Sequence, residues 1–383
     1  MTPSARAAAA IQVLDAIIAG APAEAQLTRW ARASRFAGSG DRAAVRDLVY
    51  ETLRRRRTRA ALGGGDSGRA LILGALRETG TDPATIFDGT RHGPAPLTAQ
   101  EIEAGRPPTE EESSDLPDWI SLRLQQDLGS DFSAITAALR DRAPVWLRAN
   151  LARTTAAGAQ SILAAEGIGA IPDFRCDTAL CVFSGERRLQ ASAAWRDGLV
   201  ELQDLSAQMA CAALEIAPGE RVLDLCAGGG GKALALAARG ASVTAWDIAP
   251  ARMRDLPRRA KRAGASIEQA GPAGPKGLYD LVVTDVPCSG SGTWRRTADA
   301  KWRLTPDSLA ALERTQAKIL AQAVNHVRPG GTLAYMTCSL LQSENDDQVR
   351  SFLTAHPDFR LKTSHSMTPL TASDGFFLAV LVR

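Results

Sequence analysis

Two cysteines and one aspartate carry the most legible chemistry in this chain: Asp285 and Cys288 in Asp285-Val286-Pro287-Cys288, and Cys338 in Thr337-Cys338-Ser339. Each group follows a short apolar run, Leu281-Val282-Val283-Thr284 and Thr332-Leu333-Ala334-Tyr335-Met336, so both thiols are expected at strand ends. In an open parallel sheet, ligands sit in the crevice outside the carboxyl ends of the strands. A thiolate there is a strong nucleophile, but a free thiol of pKa ~8.5 is only a few per cent ionised at neutral pH, so the site must lower that value or remove the proton. The same positions also suit two buried structural thiols, because free cysteine is among the most buried residue types.

A positioning element lies between the two motifs. Thr305 is placed to cap a helix with Pro306 as its first residue, and Leu309, Leu312, Ile319, Leu320, Ala323, Val324 and Val327 recur at helical spacing until Pro329-Gly330-Gly331 ends the pattern. Strand, crossover helix and strand form a right-handed parallel unit, which predicts that Cys288 and Cys338 face one another across neighbouring strands.

Upstream, the strand-like run Arg221-Val222-Leu223-Asp224-Leu225 leads into Cys226-Ala227-Gly228-Gly229-Gly230-Gly231-Lys232 and then an Ala/Leu-rich helix. Successive glycines at a strand-to-helix turn allow a ligand to approach the backbone closely. Asp247 follows a second strand-like run, Ala241 to Trp246, near the ~20-residue spacing at which an acidic side chain reaches a ribose hydroxyl. A nucleoside-containing cofactor is expected. The spacing Gly228, Gly230, Ala233 also fits a dinucleotide fingerprint, so an NAD-dependent oxidoreductase is a competing reading, one that leaves the cysteines and the pair Arg295-Arg296 without a role.

The remaining organisation follows from length and punctuation. The chain's 383 residues and 45% hydrophobic content imply two or three domains. Ala5 to Ile18, Ala23 to Phe36 and Asp41 to Arg57 read as amphipathic helices, giving an all-α N-terminal domain over 1–142. Within it the Pro-, Gly- and Glu-rich stretch 89–117 is expected to be mobile. A small α/β module is expected over 143–198 and the cofactor domain over 199–383. The six cysteines lack metal-ligand spacing, so neither zinc nor a disulfide framework is indicated. No signal peptide or long apolar run is read, so a cytoplasmic protein with reduced thiols, without membrane or metal partners, is expected, and a monomer.

Net charge is only +3, so distribution matters more than total. Arg54 to Arg57 with Arg59, the set Arg252, Arg254, Arg258, Arg259, Lys261 and Arg262, and the set Arg295, Arg296, Lys301 and Arg303 are clustered enough to meet phosphates. A solvated helix face is the bland alternative for each.

Cys226 to Lys232, Asp285 to Thr293 with Arg295-Arg296, and Thr337-Cys338-Ser339 with Glu344-Asn345 resemble three signature motifs of the Nol/Nop/Sun family of RNA cytosine C5-methyltransferases. Gln203-Asp204 and Asp374-Gly375-Phe376-Phe377 resemble two more, and the likeness spans roughly Val145 to Arg383. It implies a Rossmann-like α/β methyltransferase domain with a mostly parallel sheet, a small RRM-like module, and S-adenosylmethionine held by Cys226, Ala227, Gly228, Gly229, Gly230, Gly231, Lys232, Asp247 and Asp285. It also implies Cys338 as the thiol that attacks the base, Cys288 as the one that releases product, and Asp285 as a hydrogen-bonding partner of base or cofactor. The chain departs from the pattern at Gly229, where the family usually carries proline, and in Ser266 to Gly277, which offers only Glu268 where an acidic adenine contact is usual. The run Asp41 to Tyr50 is similar to the NusB-like RNA-binding module fused to the bacterial 16S rRNA members, which favours 16S rRNA over tRNA as substrate. A non-catalytic RNA-binding assembly factor is the remaining alternative.

Overall fold

Eleven strands form two sheets: β1 (Val145–Ala149), β2 (Gly169–Pro172), β3 (Ala179–Ser184), β4 (Val200–Leu202), β5 (Arg221–Asp224), β6 (Ser242–Ala245), β7 (Ile267–Gln269), β8 (Tyr279–Asp285), β9 (Val327–Thr337), β10 (Arg360–Met367) and β11 (Phe376–Val382). The computed structural model describes residues 1–383 and divides into two units, one of residues 1–142 with 294–305, the other of residues 143–293 with 306–383.

The larger sheet belongs to the second unit and runs β10-β11-β9-β8-β5-β6-β7. Strands β5 to β9 run parallel to one another, while β11 is antiparallel to both β9 and β10. Strands covered on both faces carry near-continuous apolar runs. Alternate residues accordingly enter two cores, Val222, Leu281, Val283, Met336 and Leu378 on one side, Leu223, Val282, Leu333, Tyr335 and Phe377 on the other. β8 and β9 are direct neighbours, with Asp285 opposite Met336, and the helix Pro306–Ala323 lies in the crossover between them.

The smaller sheet, β2-β3-β1-β4, is antiparallel throughout. Ala159 and Leu163 of the helix Ala156–Ala165 pack on Leu147, Leu180, Val182 and Val200 from one face of that sheet. Its fourth strand lies beyond residue 198, so this module reaches further along the chain than expected.

The first unit is all-helical, with helices Pro3–Ile18, Ala23–Ala33, Ser39–Arg54, Arg56–Gly63, Gly68–Glu78, Asp118–Leu128 and Phe132–Leu139 among its elements. The stretch 89–117, expected to be mobile from its composition, is instead folded onto these helices. It holds two capped turns of helix, Ala99–Glu103 and Glu110–Ser113, and is tied down by Arg69 on Glu101 (2.6 Å), Arg106 N on Ala61 O (2.9 Å) and Asp115 under Thr58 N (3.0 Å). Its charged residues found partners within the domain, which proline and glycine content could not reveal.

Residues 294–305, inside the β8–β9 crossover, pack with this helical unit. Arg54 Nε donates to Arg295 O (2.7 Å), Lys301 Nζ to Arg54 O (3.0 Å) and Trp302 Nε1 to Leu53 O (2.8 Å). Two of the basic clusters are thereby largely withdrawn from solvent. Arg54, Arg59, Arg295 and Lys301 are buried, Arg59 bonds Glu78 and Glu51, and burial pushes the Lys301 ammonium down to about 7. These cations serve packing rather than phosphate contact, contrary to the expectation from their clustering.

Candidate active site

The carboxyl ends of β5, β6, β8 and β9 converge on one crevice. β8 ends at Asp285 and β9 at Thr337, so the two loops that follow deliver Cys288 and Cys338 side by side, with their sulfurs 3.4 Å apart. Cys288 has its thiol pKa pushed well up, first by the hydrogen bond to Cys338, then by burial and the nearby Glu344 charge. The two thiols share one hydrogen bond, in which either sulfur can donate. The pairing expected from the strand-helix-strand pattern is present in the fold.

A buried carboxylate fixes both loops. Glu344 accepts from Ser289 N (2.8 Å), Ser289 Oγ (2.5 Å), Ser339 Oγ (2.5 Å) and Gln316 Nε2 (2.9 Å), while Thr337 Oγ1 donates to Asn345 Oδ1 (2.6 Å). Gln316 comes from the crossover helix, so that helix positions the thiol loops as well as linking the strands. Gly292 N donates to Cys338 O (3.0 Å), and a Cβ on Gly292 would lie 2.2 Å from Gly375 O, so only glycine permits this approach.

Asp285 pairs with Lys232 at 2.5 Å and is about a third exposed, which leaves it open to the crevice. Burial alone would depress the Lys232 ammonium, but the charge of Asp285 and its hydrogen bond outweigh it and hold the lysine protonated. The glycine loop runs from Cys226 to Lys232, with Gly228 and Gly230 at φ of 50° and 78°. Asp247 was expected to await a ribose. It is 2% exposed and accepts from Gly228 N (3.0 Å) and Ala249 N (2.8 Å), so in this structure it also ties the loop to β6. Cys226 is a half-buried neighbour of these carboxylates, and burial with their charges pushes its thiol up, which makes it a poor nucleophile. Glu268 is exposed on β7 and accepts from Thr244 Oγ1 (3.3 Å).

Several residues of the site were not singled out by sequence. Asp224, at the end of β5, is buried with neither carboxylate oxygen hydrogen-bonded, and burial raises its pKa to about 7. An acidic residue closing an apolar strand before a glycine loop was the available signal. The loop's carbonyls are held from the smaller sheet: Arg148 of β1 donates to Gly231 O (2.7 Å), and Arg259, bound to Glu201 of β4 (2.9 Å), donates to Gly229 O. No local pattern marks these partners. No cluster of three or more His, Cys, Asp or Glu suited to a metal is present, and no helix is long and apolar enough to cross a membrane.

Comparison with known proteins agrees with this geometry. Residues 211–381 match the family model described as 16S rRNA methyltransferase RsmB/F, and residues 116–185 match the RsmF/B-like ferredoxin-like domain. Ribosomal RNA small subunit methyltransferase B of Citrobacter koseri is 32% identical over 284 residues, 70% of this chain and 66% of the relative. The protein of that name from Vibrio cholerae is 32% identical over 285 residues, 70% and 65% respectively. The chain thus spans slightly under two thirds of these relatives' length. Among solved structures, PH0851 superposes with a TM-score of 0.76 at 21% identity, covering 100% of this chain and 99% of that one. NSun6 from Pyrococcus horikoshii with SFG gives 0.62 at 16% identity, covering 70% and 98%. Both show the fold.

Proposed function

Because the chain belongs to the 16S rRNA methyltransferase RsmB/F family, we propose that it transfers a methyl group from S-adenosylmethionine to C5 of a cytosine in 16S rRNA. The observation that carries this reading is the pair of thiols 3.4 Å apart at the ends of adjacent parallel strands, beside Asp285 and Lys232. One thiol suffices for nucleophilic attack, and a second at this distance supplies a base.

The residues of the crevice fit the cofactor. Asp224 is a buried carboxylate without a hydrogen-bond partner, a suitable site for a cationic amino group, and Asp285 adds a second negative charge nearby. Each Asp247 oxygen takes one backbone N–H and keeps acceptor capacity for a ribose hydroxyl. S-adenosylmethionine supplies, when bound, an electrophilic methyl group on a sulfonium.

C5 of cytosine is too weak a nucleophile to attack that methyl unaided. The Cys338 thiolate would add to C6, forming a C–S bond and moving an electron pair onto C5, which could then take the methyl group as the sulfonium–methyl bond breaks and leaves a neutral thioether. Asp285, held by Lys232, hydrogen-bonds the ring and favours the charge distribution that makes C6 electrophilic. Cys288 then removes the C5 proton as its pair expels Cys338 and restores the ring. Cys288 holds its own proton chiefly through the bond to Cys338. Once the Cys338 sulfur is a thioether, that restraint is gone, and Cys288 gives its proton to solvent before it takes the one on C5. The base must leave any stack first, at a cost of a few kcal/mol, least in a loop.

The all-helical unit serves in this reading as a NusB-like RNA-docking module, supported by exposed Arg29, Arg32, Arg35 and Arg42 on and between its second and third helices. The test is methylation of 16S rRNA by the purified protein with methyl-labelled S-adenosylmethionine, followed by bisulfite sequencing. A single protected cytosine is expected. Label confined to tRNA, or to a position other than C5, overturns the reading.

A further inference from the structure

The short helix Leu256–Ala263 divides its basic residues between two faces. Arg259 and Arg262 turn inward and share the buried Glu201 carboxylate. Arg258 and Lys261 turn outward, exposed, into a groove of about 770 Å³ whose other wall comes from the smaller α/β module: Arg153, Trp195 and Arg196. Arg262 lines its floor, with its guanidinium 4.0 Å from the centre of the Trp195 ring.

The cations of this groove are pre-positioned without being neutralised. One Arg153 amino group is held by the carbonyls of Asp197 (2.6 Å) and Arg262 (2.9 Å), and one from Arg196 by Ala191 O (2.9 Å). Neither meets a carboxylate, nor does Lys261. Arg258 pairs only with Asp255 at 3.1 Å, both side chains largely exposed, an ion pair of little strength in water. Asp197 is the one acidic residue in the lining. Arginines anchored through one amino group and free at the others are suited to grip successive phosphates, and a concave row of them fits a linear polyanion better than a flat membrane surface.

We propose that this groove docks the phosphodiester backbone of the RNA substrate. The inference rests on the proposed RNA methylation and adds a contact surface made jointly by the small module and the methyltransferase domain. Because the opposite face of the same helix carries Arg259, which holds Gly229 O, RNA seated here lies behind the cofactor loop and not among the thiols. The groove therefore contributes affinity and register and leaves bond-making to the crevice.

The test is the double variant Arg258→Glu, Lys261→Glu, with Arg258→Lys, Lys261→Arg as the charge-conserving control. Binding of fluorescent 16S rRNA fragments is followed by anisotropy across a salt series. The reversal should raise the RNA dissociation constant roughly tenfold or more and reduce the salt slope by about two. The control should match wild type, and S-adenosylmethionine affinity should stay within twofold for all. Equal RNA affinity and slope in wild type and reversal variant overturns the groove alone. Wild-type protein that binds RNA through these residues yet transfers no methyl group overturns the proposed function and leaves the groove standing. Preferential binding of wild type to phosphatidylserine vesicles over RNA overturns the assignment of the ligand.

Discussion

Arg259 donates one hydrogen bond to the carbonyl of Gly229 and another, at 2.9 Å, to Glu201, so the cofactor loop is braced by a residue of the smaller sheet. A Cβ at position 229 would lie 3.0 Å from the same guanidinium, which makes the glycine and the arginine a matched pair. Where the family pattern has proline, Gly229 is thus held in place by this brace.

Arg259→Ala should therefore weaken S-adenosylmethionine binding about tenfold, since a hydrogen bond to a charged group contributes roughly 1.5–3 kcal/mol. Calorimetric titration measures it. A lowered melting temperature with unaltered cofactor affinity would show that Arg259 supports the fold only.

The two thiols should separate on one denaturing gel. With cofactor and substrate RNA, Cys288→Ala should methylate once and remain bonded to its product, giving a slow-migrating adduct that nuclease collapses and reducing agent leaves intact. Cys338→Ala should give neither methylation nor adduct. An adduct from Cys338→Ala and none from Cys288→Ala reverses the roles.

Asp224 predicts a particular pH dependence. Its folded pKa of about 7 stands above the ordinary carboxylate value near 3.9, because burial penalises the charge. The stability it contributes is thus fully present below about pH 4 and lost as pH rises through about 7. Without cofactor, Asp224→Asn should melt higher than wild type at pH 8, with a much smaller gain at pH 5. It should also bind S-adenosylmethionine more weakly, since the cationic amino group loses its carboxylate. Equal melting at pH 8, or unaltered cofactor affinity, counts against this account.

Glu344 touches no substrate in the proposed mechanism, yet Glu344→Ala strands Ser289, Ser339 and Gln316 in a buried site. Loss of such a network should cost roughly 2–4 kcal/mol in chemical unfolding and suppress adduct formation in the Cys288→Ala background. Wild-type adduct yield would mean that the thiol loops hold their geometry without it.

The sequence by itself determined the elements and the ends on which chemistry sits. The helix at Pro306, the apolar runs before Asp285 and Cys338, and the glycine turn after β5 are local patterns, set by side-chain periodicity and backbone freedom within a few residues. The crossover rule carried this one step further, to Cys288 beside Cys338. What only the tertiary structure decided is which charges remain available. Arg54 lies in as basic a run as Arg258, yet it closes on Arg295 O from 241 residues away while Arg258 stays in solvent. Asp224 ends β5 and Asp247 lies two residues beyond β6 of the same sheet, yet one is left without a hydrogen bond and the other ties down the glycine loop. Burial and partnership depend on distant segments of the chain, and a local pattern of charge contains no record of them.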